Sequence, residues 1–187
     1  EFLLKELVLK KNAVVLELGF GTGCSLVKIK SRHPDIHLFG AELSQNMFTK
    51  ASARLRFCGI GGVTLKKIEP NNQLPFGENT FDVVYAESVL GIQEGKNIEF
   101  MFTELYRVLK PGGQMILNET VWLEGISREE IKTLNTACKN IFGIIQANME
   151  YPGAREWEAL IRAKGFSNLV VKTIDNNSQK IPLTKAE

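Results

Sequence analysis

Three glycines at alternate positions follow an apolar, β-branched segment near the start of the chain. The segment is 13–18, it contains Glu17, and the glycines are Gly19, Gly21 and Gly23. Between a strand and a helix, such glycines allow a sharp turn and the close approach of a ligand. The helix that follows offers unpaired N–H groups and the positive end of its dipole. The pattern therefore predicts a site for a nucleotide-like ligand.

The spacing of the glycines and the position of the acid favour one kind of ligand. A dinucleotide-binding loop, G-x-G-x-x-G/A, carries its last small residue at the sixth position, where the helix packs close to the strand over a pyrophosphate. Here Cys24 takes that position, and the third glycine, Gly23, comes one place early. Glu17 would oppose a pyrophosphate and suit a cationic group. S-adenosylmethionine carries an ammonium and a sulfonium and no phosphate, so it is favoured, although Glu17 could instead be a buried acid paired locally.

Glu42 is the second acid in the argument, because it ends the second predicted strand, 36–41. The carboxyl ends of neighbouring parallel strands meet at one edge of a sheet, so Glu42 is expected to reach the same cleft as the glycine loop. A carboxylate there can accept hydrogen bonds from both ribose hydroxyls. The alternative is an ordinary surface acid.

The elements that must position these residues alternate regularly in the first two thirds of the chain. Apolar segments of strand length are separated by helical patterns, which predicts an α/β fold with a parallel sheet covered by helices on both faces. Strands are predicted at 13–18, 36–41, 63–65, 81–86 and 114–118, with helices at about 26–32, 44–58 and 98–109 and a tight turn at 110–113.

The alternation breaks after the fifth strand. Ser127 and Glu130 form a capping box that opens a helical stretch predicted to reach about Met149. Another helix around Trp157 and a sixth strand at 169–174 follow. The helical stretch has more apolar positions than one narrow stripe needs, which would suit an apolar substrate or a partner. Core packing is the more common explanation.

Composition limits the classes of function. The chain has 187 residues, enough for one domain, and a net charge of +2, which does not indicate a nucleic-acid partner. No apolar run has the length of a membrane span, and the three cysteines lack metal-site or disulfide spacing. We therefore expect no metal and a reducing, cytoplasmic location. The first residue is Glu1 within an amphipathic pattern, which suggests a shortened or processed chain.

Four blocks occur together in a characteristic order between about residues 12 and 120. They are 15–23, 41–44, 74–76 with 80–84, and 104–113. In these blocks the chain resembles the class I S-adenosylmethionine-dependent methyltransferases, in the small-molecule branch with a type 11-like domain. The resemblance implies a Rossmann-like, doubly wound, mostly parallel sheet with helices on both faces. It also implies a single domain over 1–187, with a core at about 12–120 and 153–175 and a helical lid inserted after strand five at about 121–152.

The resemblance also implies a set of cofactor-binding residues. Glu17 and the glycine loop would hold the methionine part, Glu42 the ribose, and the segment before Leu74 the adenine. The full set is Glu17, Gly19, Phe20, Gly21, Thr22, Gly23, Glu42, Leu43, Asn71, Asn72, Gln73, Leu74, Glu87 and Ser88. The family usually has an aspartate in the adenine segment, whereas 69–73 contains none. The amide of Asn71 or Asn72 could accept the same hydrogen bond.

The expected chemistry is methyl transfer from S-adenosylmethionine to a small-molecule acceptor by in-line displacement. A base helps when the acceptor is a hydroxyl or an ammonium, and the candidates are Glu87, Glu119 and Tyr151. Family members often carry histidines after strand four, where this chain has Gly91 and Ile92. Two alternatives are a catalytically silent module that binds the cofactor or a partner protein, and a nicotinamide-dependent oxidoreductase, which the glycine spacing disfavours. The oligomeric state is left open.

Overall fold

Strands and helices alternate through residues 7–70, 72–95 and 97–172, which are the residues that the computed structural model describes. The elements are β1 (Val14–Leu18), α1 (Cys24–Arg32), β2 (His37–Glu42), α2 (Gln45–Phe57), β3 (Val63–Lys67), β4 (Phe81–Glu87), α3 (Asn97–Val108), β5 (Leu109–Asn118), α4 (Arg128–Phe142) and α5 (Ala154–Ala163). Within this part of the chain, no helix is both long enough and apolar enough to cross a bilayer.

The strands form one parallel sheet in the order β3-β2-β1-β4-β5. The chain builds outward from β1 through β2 to β3 and then returns to place β4 on the other side of β1. The order therefore reverses between β1 and β4, and the segments after these strands diverge there. A crevice at such a point is where open α/β sheets bind ligands.

Alternate residues of the strands face two separate cores. In β1, Leu16 and Leu18 belong to the core that contains α3 and α5, whereas Val15 belongs to the core that contains α1 and α2. Trp157 of α5 lies in the first core and is 6% exposed. Both faces of the sheet are covered, which confirms the predicted α/β class.

Helix boundaries follow the predicted caps closely at their amino-terminal ends. The Ser44 hydroxyl accepts a hydrogen bond from the Met47 N–H at the start of α2, and Ser127 and Glu130 form the predicted capping box. The prediction that the second of these helices reaches Met149 is wrong. It ends at Phe142, because Gly143 adopts a left-handed conformation with φ of 76° and terminates it.

Two predictions about strands also need correction. The predicted start of strand five at 114 is too late, since β5 begins at Leu109, which already pairs with Phe81. The register with β4 then skips residues 110–113, where the turn was predicted and where Gly112 has a φ of 75°, and resumes at Gln114. The predicted sixth strand fails over 169–172, which has no regular structure, while 173 and 174 lie outside the described residues. Val170 and Val171 there are 81% and 53% exposed, so their β-branched side chains have no buried face to fill.

Candidate functional site

The glycine loop bridges the ends of β1 and β2 and leads into α1. The Gly19 N–H donates to the Ala41 carbonyl oxygen at 2.7 Å, and the Gly23 N–H donates to the Phe20 carbonyl oxygen at 2.8 Å. At Gly21, where φ is 50°, an added Cβ would meet no atom within 4 Å. The loop therefore has one open side, on which a ligand can approach the backbone.

The side chain of Phe20 points away from that open side. It is 3% exposed, and an added Cβ on Gly40 would lie 2.6 Å from Phe20 Cδ1. Its ring also packs against Phe48 with centroids 6.0 Å apart. The backbone is therefore the part of Phe20 that remains available to a ligand.

Glu17 is buried beneath the loop, with 3% of its surface exposed. The Ser25 hydroxyl of α1 donates to Glu17 Oε1, whereas Oε2 is buried without a hydrogen-bond partner among the described residues. The pKa of Glu17 is raised to about 7, chiefly by burial; the Ser25 hydrogen bond opposes this rise, and the charges of Glu87 and Glu42 add to it. A buried oxygen without a partner is costly, so it invites a donor from a ligand.

Glu42 meets the glycine loop directly. Its Oε2 accepts the Gly21 N–H at 2.9 Å and its Oε1 accepts the Ser44 N–H at 2.7 Å. The structure therefore brings Glu42 and the loop together, as their positions at neighbouring strand ends indicated. Leu43, which follows, is 44% exposed.

Glu87 ends β4 on the other side of β1 and is exposed. The Tyr85 hydroxyl donates to its Oε2 at 2.8 Å, and the Asn118 amide donates to its Oε1 at 3.2 Å. Burial, followed by this bond, raises the pKa of Tyr85, which keeps the hydroxyl protonated. Ser88 follows with a positive φ of 56°, which turns the chain sharply at the end of the strand.

The other two base candidates are held by neighbouring groups. Glu119 accepts the N–H groups of Val89, Leu90 and Gly91. Burial raises its pKa, and these three bonds oppose that rise. The Tyr151 hydroxyl donates to Glu99 Oε1 at 3.0 Å; burial and then this bond raise the pKa of Tyr151.

The predicted adenine segment divides into exposed and buried parts. Asn72 and Gln73 are exposed, whereas Leu74 is 3% exposed and packs in the core with α3. Asn71 lies outside the described residues. In this segment, Asn72 and Gln73 are therefore exposed polar residues that precede a buried leucine.

Sequence reasoning missed an ion pair that supports this segment. Glu104, 3% exposed, accepts the Leu74 N–H at 2.8 Å and pairs with Arg107 at 2.7 Å. Arg107 also donates to the carbonyl oxygens of Leu74 and Phe76 at 3.1 and 2.9 Å. The Arg107 hydrogen bond lowers the pKa of Glu104. An acid on the apolar face of a helix, with an arginine three residues later, is a signal that could have revealed the pair.

Three carboxylates from separate strands thus gather at one edge of the sheet: Glu17 of β1, Glu42 of β2 and Glu87 of β4. The described residues hold no group of three or more His, Cys, Asp or Glu side chains suited to a metal ion. An anionic edge with an unpartnered, buried carboxylate oxygen suits the ammonium and sulfonium of S-adenosylmethionine and opposes a pyrophosphate.

Comparison with known proteins agrees with this chemistry. A family model described as a methyltransferase domain matches residues 15–113, more than half of the chain. The chain belongs to the class I S-adenosylmethionine-dependent methyltransferases. The match spans β1 to β5, which includes the glycine loop, Glu42 and Glu87.

Two curated relatives show how far this methyltransferase domain extends along similar proteins. A demethylmenaquinone methyltransferase of Anoxybacillus flavithermus is 25% identical over 184 residues, covering 90% of this chain and 76% of the relative. A ubiquinone/menaquinone biosynthesis C-methyltransferase of Desulfotalea psychrophila is 31% identical over 107 residues, covering 57% of this chain and 41% of the relative.

A solved structure with the same fold is phosphoethanolamine N-methyltransferase 2 of Haemonchus contortus in complex with S-adenosyl-L-methionine. Its TM-score is 0.74 at 21% identity, and the match covers 89% of this chain and 36% of that one. At this identity the likeness concerns the fold of the methyltransferase domain alone.

Proposed function

We propose that this chain binds S-adenosylmethionine at the edge formed by β1, β2 and β4 and transfers its methyl group to a small-molecule acceptor. The observation that carries the proposal is Glu17 Oε2, a buried carboxylate oxygen without a hydrogen-bond partner in the described part of the chain. The ammonium of the methionine part supplies both the donor and the positive charge that this oxygen needs.

Glu42 and the open side of Gly21 complete the proposed cofactor site. Each Glu42 oxygen accepts one backbone N–H and keeps lone pairs for the ribose hydroxyls. Since an added Cβ on Gly21 meets nothing, the ligand can lie directly on the backbone there. Asn72 and Gln73 would supply the polar contacts to the adenine.

The cofactor supplies the reactive carbon, and the chain aligns the acceptor with it and excludes water. For an acceptor that must lose a proton, geometry favours Glu87 among the candidate bases. It is exposed at the end of β4, and among the described residues its donors are two side chains, Tyr85 and Asn118. Glu119, in contrast, accepts three backbone N–H groups, and the Tyr151 hydroxyl donates to Glu99.

An apolar acceptor is the class that the surface supports best. The segment 121–152 exposes Leu123, Ile141 and Phe142 at 84%, 72% and 70%. A lid over an apolar molecule would give such side chains a partner. Of the two curated relatives above, one is named for demethylmenaquinone and the other for ubiquinone and menaquinone biosynthesis. The cysteines are free, which fits action in the reducing cytoplasm.

Titration calorimetry tests the cofactor. The wild-type chain is expected to bind S-adenosylhomocysteine and not NAD, because a pyrophosphate would face Glu17 and Glu42. Binding of NAD without binding of the adenosyl ligand would overturn the proposal.

Transfer of a labelled methyl group into the small molecules of a cell extract tests the reaction. Glu119 and Tyr151 are already hydrogen bonded within the protein. This favours one alternative, a catalytically silent module that only binds the cofactor or a partner. Label in an extractable small molecule supports the enzyme and identifies the acceptor. Cofactor binding without any transfer, in extracts that label with another methyltransferase, supports the silent module.

A further inference from the structure

Glu119 follows the end of β5, and its carboxylate binds the backbone of the turn after β4. Oε1 accepts the Val89 N–H at 3.1 Å and the Leu90 N–H at 2.9 Å, and Oε2 accepts the Gly91 N–H at 2.9 Å. Glu119 lies 28 to 30 positions from these three residues in sequence, so the bonds are long-range. Three bonds to one charged group hold consecutive N–H donors in a single arrangement.

The Glu119 carboxylate lies close to the backbone of Gly91, where a side chain would begin. An added Cβ would lie 2.9 Å from Glu119 Oε2 and 3.4 Å from the Thr120 carbonyl oxygen. A side chain at this position would therefore push Glu119 off the turn. This gives a physical reason for a glycine at this position.

The turn in its held position packs against the glycine loop. An added Cβ on Gly19 would overlap Val89 Cγ2 and lie 3.2 Å from Val89 Cγ1. Gly19 is the residue at which β1 becomes the loop, and its N–H is bonded to Ala41. Val89 therefore lies directly over the first glycine of the proposed cofactor site.

We propose that Glu119 is a positioning residue, which acts through Val89 to set the glycine loop for the cofactor, and is not the base. The inference rests on the proposed function for its effect on cofactor affinity, whereas the hold on the turn is independent of it. The contact runs from Glu119 to the N–H groups of residues 89–91, and from Val89 to Gly19.

Amide hydrogen exchange of the unliganded protein tests the hold on the turn. Glu119→Ala is expected to speed exchange at Val89, Leu90 and Gly91 by about ten-fold or more, because hydrogen bonds to a charged acceptor are lost. Glu119→Gln keeps the size and one oxygen, so a smaller increase is expected. Glu124→Gln, a change at a nearby exposed acid, should leave these amides unchanged. Unchanged exchange in Glu119→Ala would overturn the proposal.

Affinity for S-adenosylhomocysteine tests the link to the cofactor. Glu119→Ala and Val89→Ala are each expected to raise Kd by about three- to ten-fold, and the double variant by no more than the larger single effect. Such non-additivity means that the two residues act through one contact, which a general loss of stability would not produce. Independent, additive effects would overturn the proposal.

The methyl-transfer activity of Glu119→Gln separates a positioning residue from a base. If Glu119→Gln abolished methyl transfer while exchange and Kd stayed at wild-type values, Glu119 would be the base and the proposal would be wrong. If the wild type bound no S-adenosylhomocysteine, the proposed function would fail, and the exchange data would still report on the turn.

Discussion

At the scale of single residues, the three carboxylates of the proposed site differ in burial and in hydrogen bonding. Glu17 is buried, and its Oε2 has no hydrogen-bond partner among the described residues. Glu42 accepts two backbone N–H groups, and Glu87 is exposed. Desolvation raises the pKa of a carboxyl group, whereas donors that stabilise the carboxylate lower it. The same residue type thus stands in three different environments, set by burial and hydrogen bonding.

The first prediction concerns the pH dependence of cofactor affinity. The pKa of Glu17 is raised to about 7 in the unliganded protein, so near pH 6 the group is largely protonated. An ammonium binds the carboxylate form, so affinity should rise with pH through about 7 and level off above it. Calorimetry with S-adenosylhomocysteine from about pH 6 to about pH 8 measures this.

Glu17→Gln is the matched variant for that experiment. It removes the titrating group, so affinity should be weak and nearly flat over the same range. A wild-type affinity that falls as pH rises through this range, or a slope retained in Glu17→Gln, would show that another group controls binding.

The second prediction concerns Glu42. Glu42→Ala is expected to weaken binding of S-adenosylhomocysteine by about 1–3 kcal/mol, since the ribose hydroxyls lose a charged acceptor. The change also frees the Gly21 and Ser44 N–H groups from their bonds. Calorimetry measures the effect, with Glu124→Ala as a control at an exposed acid. Unchanged affinity would place the ribose elsewhere.

At the scale of elements, α3 supports the segment that leads from β3 to β4. Its Glu104 and Arg107 bind the backbone of Leu74 and Phe76, so a helix on one face of the sheet fixes a loop at its edge. A pair whose carboxylate is buried, as Glu104 is, is costly to break, because removing the arginine leaves that charge without compensation.

The third prediction is that Arg107→Met lowers the free energy of unfolding by about 3 kcal/mol, since Glu104 stays buried without its partner. Lys139→Met is the matched control. It breaks the pair with Glu94, whose two side chains are 54% and 55% exposed, and should cost less than about 1 kcal/mol. Urea denaturation measures both. Equal effects would mean that burial does not distinguish the two pairs.

At the scale of the whole molecule, one parallel sheet separates two cores, and the proposed site lies where the strand order reverses. The site joins β1, β2 and β4, which contact both cores. A ligand bound there contacts only the folded chain, so its binding free energy adds to the stability of the fold.

The fourth prediction follows from that linkage. S-adenosylhomocysteine at about one hundred times its Kd should add about 2.7 kcal/mol to the free energy of unfolding. For a chain of this size, the expected rise in Tm is about 5–10 °C. NAD at the same concentration should leave Tm unchanged. Differential scanning fluorimetry measures both, and an equal rise with NAD would contradict the proposed ligand.

Local pattern alone was enough for the strands β1 to β4, the amino-terminal ends of α2 and α4, and the α/β class. These features depend on periodicity and on short-range caps such as Ser44 and Ser127, which the sequence contains in full. The meeting of Glu42 with the glycine loop was also predictable, because parallel strands end at the same edge. The irregular start of β5 and the irregular 169–172 depend on which strand edges and core positions are available, which the pattern does not contain.

The roles open to each acid were decided by the tertiary structure. The sequence determined that Glu17, Glu42, Glu87 and Glu119 follow or end strands. It could not show that Glu17 has a buried, unpartnered oxygen, or that Glu119 holds a turn about thirty residues away. Burial and long-range hydrogen bonds arise only when distant segments pack together, and they set the charge and availability of a carboxylate.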